Sequence, residues 1–314
     1  MSSKRGTKHD LNDEEKEKEE PVEKKAKPSS NHDNQEDVST EKKDDEAPTI
    51  LEKGHIYFLY RPKVDTEKVE DPNDVQRIYI VLKPSWNSTK PKRHPSLIIL
   101  GRKALPDTQK HSRYWGFVAE SSENMDALAD TFKEHSYETK TKGDRVIEPS
   151  RPMGEGVYEI ATHQGHSHLA YMLTLPDKPH AVQKAFHIKE QASMVIAVKN
   201  PTKSSLHGYQ GGGLPSNEKP HYSKHLMELF KDRRFVPMDT TTEFLNHKYC
   251  ELLLVGATEK VQEELDKAGK TLEKMEKEDE EHVEHVGIDK SVFDELELVK
   301  KENPIEPLKE GKWI

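Results

Sequence analysis

The sequence has few apolar residues for its length. Hydrophobic residues make up 32% of the 314 positions and charged residues 34%, whereas ordinary globular domains are roughly 45–50% apolar and about 25% charged. Much of the chain must therefore stay outside a packed core. The apolar residues are concentrated between about positions 55 and 256, which predicts a β-rich core domain over residues 51–256.

Long apolar runs and paired cysteines are also absent. No window holds the 18 or more apolar residues that a membrane span needs, and no charged-then-apolar segment opens the chain as a secretory signal does. These absences predict an intracellular protein, cytoplasmic or nuclear, without a membrane partner. The single cysteine, Cys250, lies in an apolar run, which predicts a small buried side chain.

The charge is unevenly distributed. A net charge of −9 disfavours DNA as a partner, because attraction to phosphates supplies most non-specific binding. Residues 1–50 are nearly all charged or polar, and we predict a disordered tail because there is little to bury against the entropy of ordering. Two short basic runs in this tail, Lys4-Arg5 and Lys24–Lys27, are similar to a split nuclear-import signal.

From His55 onward, short β-branched and aromatic runs are bounded by Pro or Gly, a pattern typical of buried strands. A helix is predicted around Met125–His135. The predicted strands are Ile56–Tyr60, Ile78–Leu82, Leu97–Leu100, Gly156–Thr162, His168–Leu175, Ala181–Ile188, Ser193–Val198 and Cys250–Val255.

Two groups of these strands resemble each other, which suggests an internal duplication of residues 55–106 and 168–201. Tyr57–Leu59 is followed by Pro62, and Tyr171–Leu173 is followed by Pro176 at the same spacing. The predicted fold class is therefore α+β, with duplicated three-strand modules in one sheet or barrel-like core and with peripheral helices. A ligand site is expected between the two modules, since interfaces between repeated halves often hold ligands.

After Gly256 the chain becomes rich in Glu and Lys. Val261, Leu265, Leu272 and Met275 recur at helical spacing, which predicts a long helix with a narrow apolar stripe that leans on the core or on a protein partner. The heptads are too few for a full coiled coil. We therefore treat 257–314 as an acidic helical extension, and its terminal Trp313-Ile314 predicts docking.

Candidate metal ligands are found at His166 and His168, which share a face if they lie on a strand. Two imidazoles can bind zinc or iron only with a third ligand, and the sequence does not name one. Ordinary hydrogen bonding of strand-edge histidines is the alternative.

Candidate ligand-binding residues are mostly basic and would suit a small anion. The alternative is exposed basic side chains between strands. No nucleophile elbow is present, so no residue is predicted to be catalytic, and no cofactor is indicated. The candidate ligand-binding residues are Arg61, Tyr137, Lys140, Arg151 and Glu155.

The chain resembles a family found in fungi and bacteria, whose fungal members are often labelled "BTB domain transcription factor". The resemblance covers roughly residues 54–256 and implies at most a nuclear, regulatory role, with no catalytic residue to carry over. It is carried by His55–Pro62, Val75–Pro84, Leu97–Pro106, Arg113–Phe117, Tyr137–Thr141, Arg151–Tyr158, His166–Leu175, Ala192–Pro201 and Arg233–Phe235.

Two functional hypotheses follow. The first is a non-enzymatic binding or regulatory protein that uses its tails or C-terminal helix to contact a protein partner. The second is a metal- or anion-dependent enzyme, or a small-molecule-binding protein, with its site between the two β modules.

Overall fold

The β-branched and aromatic runs of the core form antiparallel strands. The computed structural model describes residues 47–88, 90–141, 143–203, 214–215, 217–299 and 302–314. The strands are β1 (Thr49–Pro62), β2 (Val75–Asn87), β3 (Ser96–Leu100), β4 (Arg113–Ser121), β5 (His135–Thr139), β6 (Gly143–Ile147), β7 (Arg151–His163), β8 (His166–Leu175), β9 (Gln191–Lys199), β10 (Phe235–Pro237) and β11 (Glu251–Thr258).

Helices follow the sheet and lie between its strands. Two short 3₁₀ turns span Pro72–Asp74 and Glu243–Asn246. The helices are α1 (Asp126–Phe132), α2 (Ala181–Ala185), α3 (Lys224–Leu229), α4 (Val261–Leu265), α5 (Lys267–Val286), α6 (Ile288–Leu296) and α7 (Glu306–Lys309).

The main sheet closes on itself. In the described part of the chain its strand order is β10-β9-β11-β4-β3-β2-β1-β7-β8, and β8 also pairs with β9. Eight strands therefore form a closed ring, and β10 is attached to β9. Because side chains alternate along each strand, one set points into the ring and the other points outward. This architecture confirms the prediction of a β-rich α+β fold.

The interior of the ring is an apolar core. Phe58 and Tyr171 meet there edge to face with ring centroids 5.1 Å apart. Near them, Trp313 packs on Tyr60 and Phe186 at centroid distances of 5.8 and 5.5 Å, which confirms that the Trp-Ile end docks.

Cys250 belongs to the same interior cluster. Its burial is complete, and that burial raises the pKa of its thiol to about 12. The prediction of a small buried side chain is confirmed.

Helices cover the outward face of the ring. Val261, Leu265 and Leu272 are buried against Val157 and Met172 on β7 and β8, and each buried leucine contributes about 1.5–3 kcal/mol. The predicted apolar stripe therefore leans on the core, and the described residues of this C-terminal segment belong to the same compact unit as the sheet. None of the described helices combines the length and hydropathy that a membrane span requires.

One predicted strand is wrong. Ala181–Ile188 contains the helix α2 at Ala181–Ala185, because Ala, Gln and Lys favour helix and the Gln183 side chain accepts a hydrogen bond from the His180 backbone N–H at 3.1 Å. The second group of predicted strands is thus two strands around a helix. Duplication of the two groups stays a prediction.

The boundary of the predicted tail lies slightly too late in the chain. Thr49 and Ile50 already belong to β1, where they pair with Thr162 and Ala161 of β7. Residues 1–46, with both basic runs, lie outside the described residues.

Candidate functional site

A cavity of about 420 Å³ lies between the outward face of the ring and the helices α5 and α6. Strands β1, β2 and β7 form one wall, and the two helices form the other. The lining residues are Lys53, His55, Ser85, Val157, Met275, Glu278, Asp279, His282, Ser291 and Glu295.

Alternation along β1 and β7 places the residues of the strand wall. Glu155 and Glu159 share the outward face of β7 with Val157, and Glu159 pairs in register with Lys53 of β1. A β-bulge lies between Glu155 and Gly156, where β7 approaches β8 so closely that a Cβ on Gly156 would lie 2.1 Å from the Met172 carbonyl oxygen. Glycine at this position therefore permits the close approach of the two strands at the bulge.

Helical spacing places the residues of the helix wall. Asp279 follows Leu272 by two turns, so the apolar stripe of α5 continues into a buried carboxylate. Gly287 then adopts a positive φ of 86°, a conformation that glycine accepts without steric cost. The chain turns there into α6, which brings Ser291 and Glu295 to the cavity.

Asp279 joins α5 to the sheet. Its Oδ2 accepts a hydrogen bond of 2.6 Å from the Thr174 hydroxyl, and its Oδ1 lies 3.2 Å from Nδ1 of His55. Burial alone would lower the pKa of His55, but the neighbouring Asp279 carboxyl group, with smaller contributions from Glu295 and Glu155, raises it above its ordinary value. The imidazolium form is therefore favoured beside this carboxylate.

Glu155 is almost completely buried next to the cavity. Its Oε1 accepts a hydrogen bond of 3.0 Å from Ser291, whereas Oε2 has no hydrogen-bond partner among the described residues. Burial, followed by the charge of Asp279, raises the pKa of Glu155 to about 8. The group is thus mostly protonated at neutral pH.

Glu159 has still fewer partners. It is fully buried, and neither carboxyl oxygen meets a hydrogen-bond donor in the described part of the protein. Lys53 is its neighbour in register, but the Lys53 ammonium lies 6.0 Å from the ring centroid of Trp86. Burial raises the pKa of Glu159 to about 8, and the charge of Lys53 offsets this only in part.

The site therefore combines two buried glutamates whose pKa values are raised to about 8 with a histidine that lies beside the Asp279 carboxyl group. Such groups can accept hydrogen bonds from a cationic ligand or exchange protons with it. Their shifted pKa values depend on burial beneath α5 and α6.

The structure places the predicted ligand-binding residues in separate surroundings. Arg61 donates to the backbone carbonyls of Thr131 and Lys133 at the end of α1. Arg151 donates to Ile314 O and to the Glu67 carbonyl, so it holds the C-terminal segment.

The other three predicted ligand-binding residues also lie in different surroundings. Tyr137 and Lys140 are exposed in and after β5, whereas Glu155 is buried beside the cavity. Only Glu155 thus belongs to the candidate site.

The two predicted metal ligands differ in exposure. His166 is exposed, while His168 is buried with Nδ1 3.1 Å from Ser193 Oγ and 3.6 Å from Glu264 Oε2. Within the ranges that the structure describes, no three His, Cys, Asp or Glu side chains are grouped so that they could hold a metal ion. Metal binding at these histidines stays a prediction.

Sequence reasoning missed Glu159, Asp279, Ser291 and His55. Two signals indicated two of these residues, Glu159 and Asp279. Glu159 lies in the predicted strand Gly156–Thr162, four residues after Glu155, and residues at this spacing in a strand share one face. Asp279 falls on the continuation of the helical apolar stripe. Ser291 lies in the predicted helical extension 257–314 but carried no such signal, because the apolar stripe was traced only as far as Met275.

Comparisons of the chain with protein-family models, with curated proteins and with solved structures give no match.

Proposed function

We propose that this chain is a small-molecule-binding protein whose cavity beneath α5 and α6 binds a short aliphatic amine in its cationic form. The observation that carries the proposal is the set of buried carboxyl oxygens without partners, Oε2 of Glu155 and both oxygens of Glu159 in the described chain. These two glutamates lie behind the cavity wall, since Ser291, which donates to Glu155, and Lys53, the register neighbour of Glu159, line the cavity. A buried acceptor without a donor costs about 1–3 kcal/mol. An ammonium group supplies three donors and a positive charge.

The cavity wall suits such a ligand. Glu278, Asp279 and Glu295 supply carboxyl groups to a lining that also holds Lys53, His55 and His282, and Val157 and Met275 add an apolar surface for a methylene chain. Its volume of about 420 Å³ lies within the range of small-molecule sites, roughly 300–1,000 Å³.

Binding of a cation should be linked to proton release. A positive charge beside Glu155 and Glu159 favours their ionised forms and so lowers their pKa values from about 8. Aliphatic amines stay protonated well above that pH, since an amine such as lysine has a pKa of about 10.4. The affinity is therefore expected to increase as pH rises through about 8.

Isothermal titration calorimetry with putrescine tests the proposal. Putrescine should bind, and butanediol, which has the same chain with hydroxyl ends, should not. Glu155→Gln and Glu159→Gln should each weaken binding at least tenfold, on the order of one charged hydrogen bond. Glu281→Gln makes the same charge change on an exposed position of α5 and should leave the affinity unchanged.

Three results would overturn the proposal. They are no binding of putrescine above pH 8, equal binding of butanediol, or full affinity in the Glu155→Gln/Glu159→Gln double variant.

The proposal takes up the small-molecule-binding part of the second hypothesis and gives it a ligand class. A regulatory role, a protein partner and a cytoplasmic or nuclear location stay predictions, as does membership of the fungal and bacterial family. The metal- or anion-dependent enzyme also stays a prediction.

A further inference from the structure

A second, more open cavity of about 440 Å³ lies at the ends of β1 and β2, beside α1 and the β5–β6 hairpin. We name it the arginine groove. It is lined by Arg61, Gln76, Arg77, Tyr79, Asp130, Thr131, His135 and Ile147.

Two arginines stand opposite each other in this groove. Arg61 of β1 and Arg77 of β2 are register partners, so their side chains leave the sheet on the same face. Like charges directly opposite on neighbouring strands repel each other. Neither side chain forms an ion pair with an acidic residue in the described part of the chain. Asp130, the acidic residue of the groove, pairs with Lys133 at 2.6 Å.

Both arginines keep donors free for a ligand. Arg61 is only 4% exposed, yet its Nε has no hydrogen-bond partner among the described residues. Arg77 is exposed, so its guanidinium is available from solvent. His135 lies across the groove on β5, its Nε2 3.1 Å from the Asp130 carbonyl oxygen.

We propose that the arginine groove binds a small molecule through an oxyanion group, a phosphate or a carboxylate, held between Arg61 and Arg77. The planar guanidinium fork of Arg77 matches both groups with paired, charge-assisted hydrogen bonds, and the Nε–H of Arg61, which has no partner among the described residues, adds one further donor. The bound anion offsets the repulsion between the two arginines. This site is separate from the amine cavity in its residues and opposite to it in ligand charge.

Titration of the full chain with inorganic phosphate and, separately, with succinate tests the site at constant ionic strength. Calorimetry gives the affinity, and the arginine Nε–H signals in ¹⁵N NMR spectra locate the contact. Arg77→Gln should weaken binding at least tenfold. Arg77→Lys keeps the charge without the fork, so its affinity should lie between those of the unmodified chain and of Arg77→Gln. The exposed Arg102→Gln change should have no effect.

Binding of phosphate alone or of succinate alone supports the site and identifies the oxyanion. The proposal fails if Arg77→Gln binds both anions as tightly as the unmodified chain. It also fails if neither anion shifts an arginine signal more than chloride does. Arg77 is exposed, so these variants avoid disturbing the buried Arg61, which fastens α1.

Discussion

The interior of the ring and its outward face under α5 both bury carboxyl groups, but they treat them differently. Inside, Glu52 is fully buried and accepts hydrogen bonds from Arg93 Nε at 2.8 Å and from the Tyr158 hydroxyl at 2.6 Å. Outside, Glu155 and Glu159 are equally buried and leave three oxygens without partners in the described residues. The inner carboxylate thus has the partners that a structural role needs, and the outer carboxyls lack donors that a ligand can supply.

The interior pair should give the largest effect. Arg93→Met leaves Glu52 buried without its cation, and we expect a loss of about 3–5 kcal/mol in the free energy of unfolding. Urea denaturation measures this, and the Glu52→Gln/Arg93→Met double variant should recover part of the loss. Lys224→Met, which breaks an exposed pair with Glu228, should cost less than about 0.5 kcal/mol. If Arg93→Met cost no more than Lys224→Met, the contrast between the two regions would disappear.

Substitution of the outer carboxyls should have the opposite effect on stability, because Glu155 and Glu159 are expected to lower the free energy of unfolding at high pH. Their folded-state pKa of about 8 lies above the ordinary value of 4.5, so the folded protein binds more protons than the unfolded one between those values. Stability from these groups is therefore present below about pH 4.5 and lost as pH rises to about 8.

Replacing either group by a neutral amide should remove this loss. Near pH 9, Glu155→Gln and Glu159→Gln should each be more stable than the unmodified protein, by on the order of 2–4 kcal/mol, and near pH 5 the difference should be small. Urea denaturation across this range measures it. Variants that are less stable at both pH values would show that the outer carboxyls are structural, like Glu52.

The smallest effect should be local. Asp279→Asn removes the main group that raises the pKa of His55, so burial should then lower that pKa toward or below 6.5, although Glu295 and Glu155 still act in the other direction. NMR titration of the imidazole protons measures the change, with Glu281→Gln as the control. An unchanged pKa of His55 would mean that Asp279 does not govern the charge of this cavity.

The fold could be predicted in outline because its strands are marked locally. Runs such as Ile78–Leu82 combine β-branched and aromatic residues, and β2 contains that run. The strand prediction for Ala181–Ile188 was wrong because its apolar residues fit a strand or a helix. The helix-favouring Ala, Gln and Lys residues led to the helix α2. The strand β4 carries fewer β-branched residues, and no strand was predicted there.

The candidate site was harder to predict than the fold. Glu155 was identified as a ligand-binding residue, but in the company of Arg61 and Lys140, which lie elsewhere. Its actual neighbours, Asp279 and Ser291, are more than a hundred residues away in sequence. No local pattern encodes such a distance.

The sequence by itself determined the β-rich class, the buried Cys250 and the apolar stripe that carries α4 and α5 onto the sheet, because these follow from local composition and periodicity. Only the tertiary structure decided which acidic residues are buried without partners. Alternation places Glu155 and Glu159 on one face of β7, but closure of the ring and docking of α5 and α6 remove that face from water. This burial raises the pKa values of both glutamates. The docked helices α5 and α6 also form one wall of the cavity.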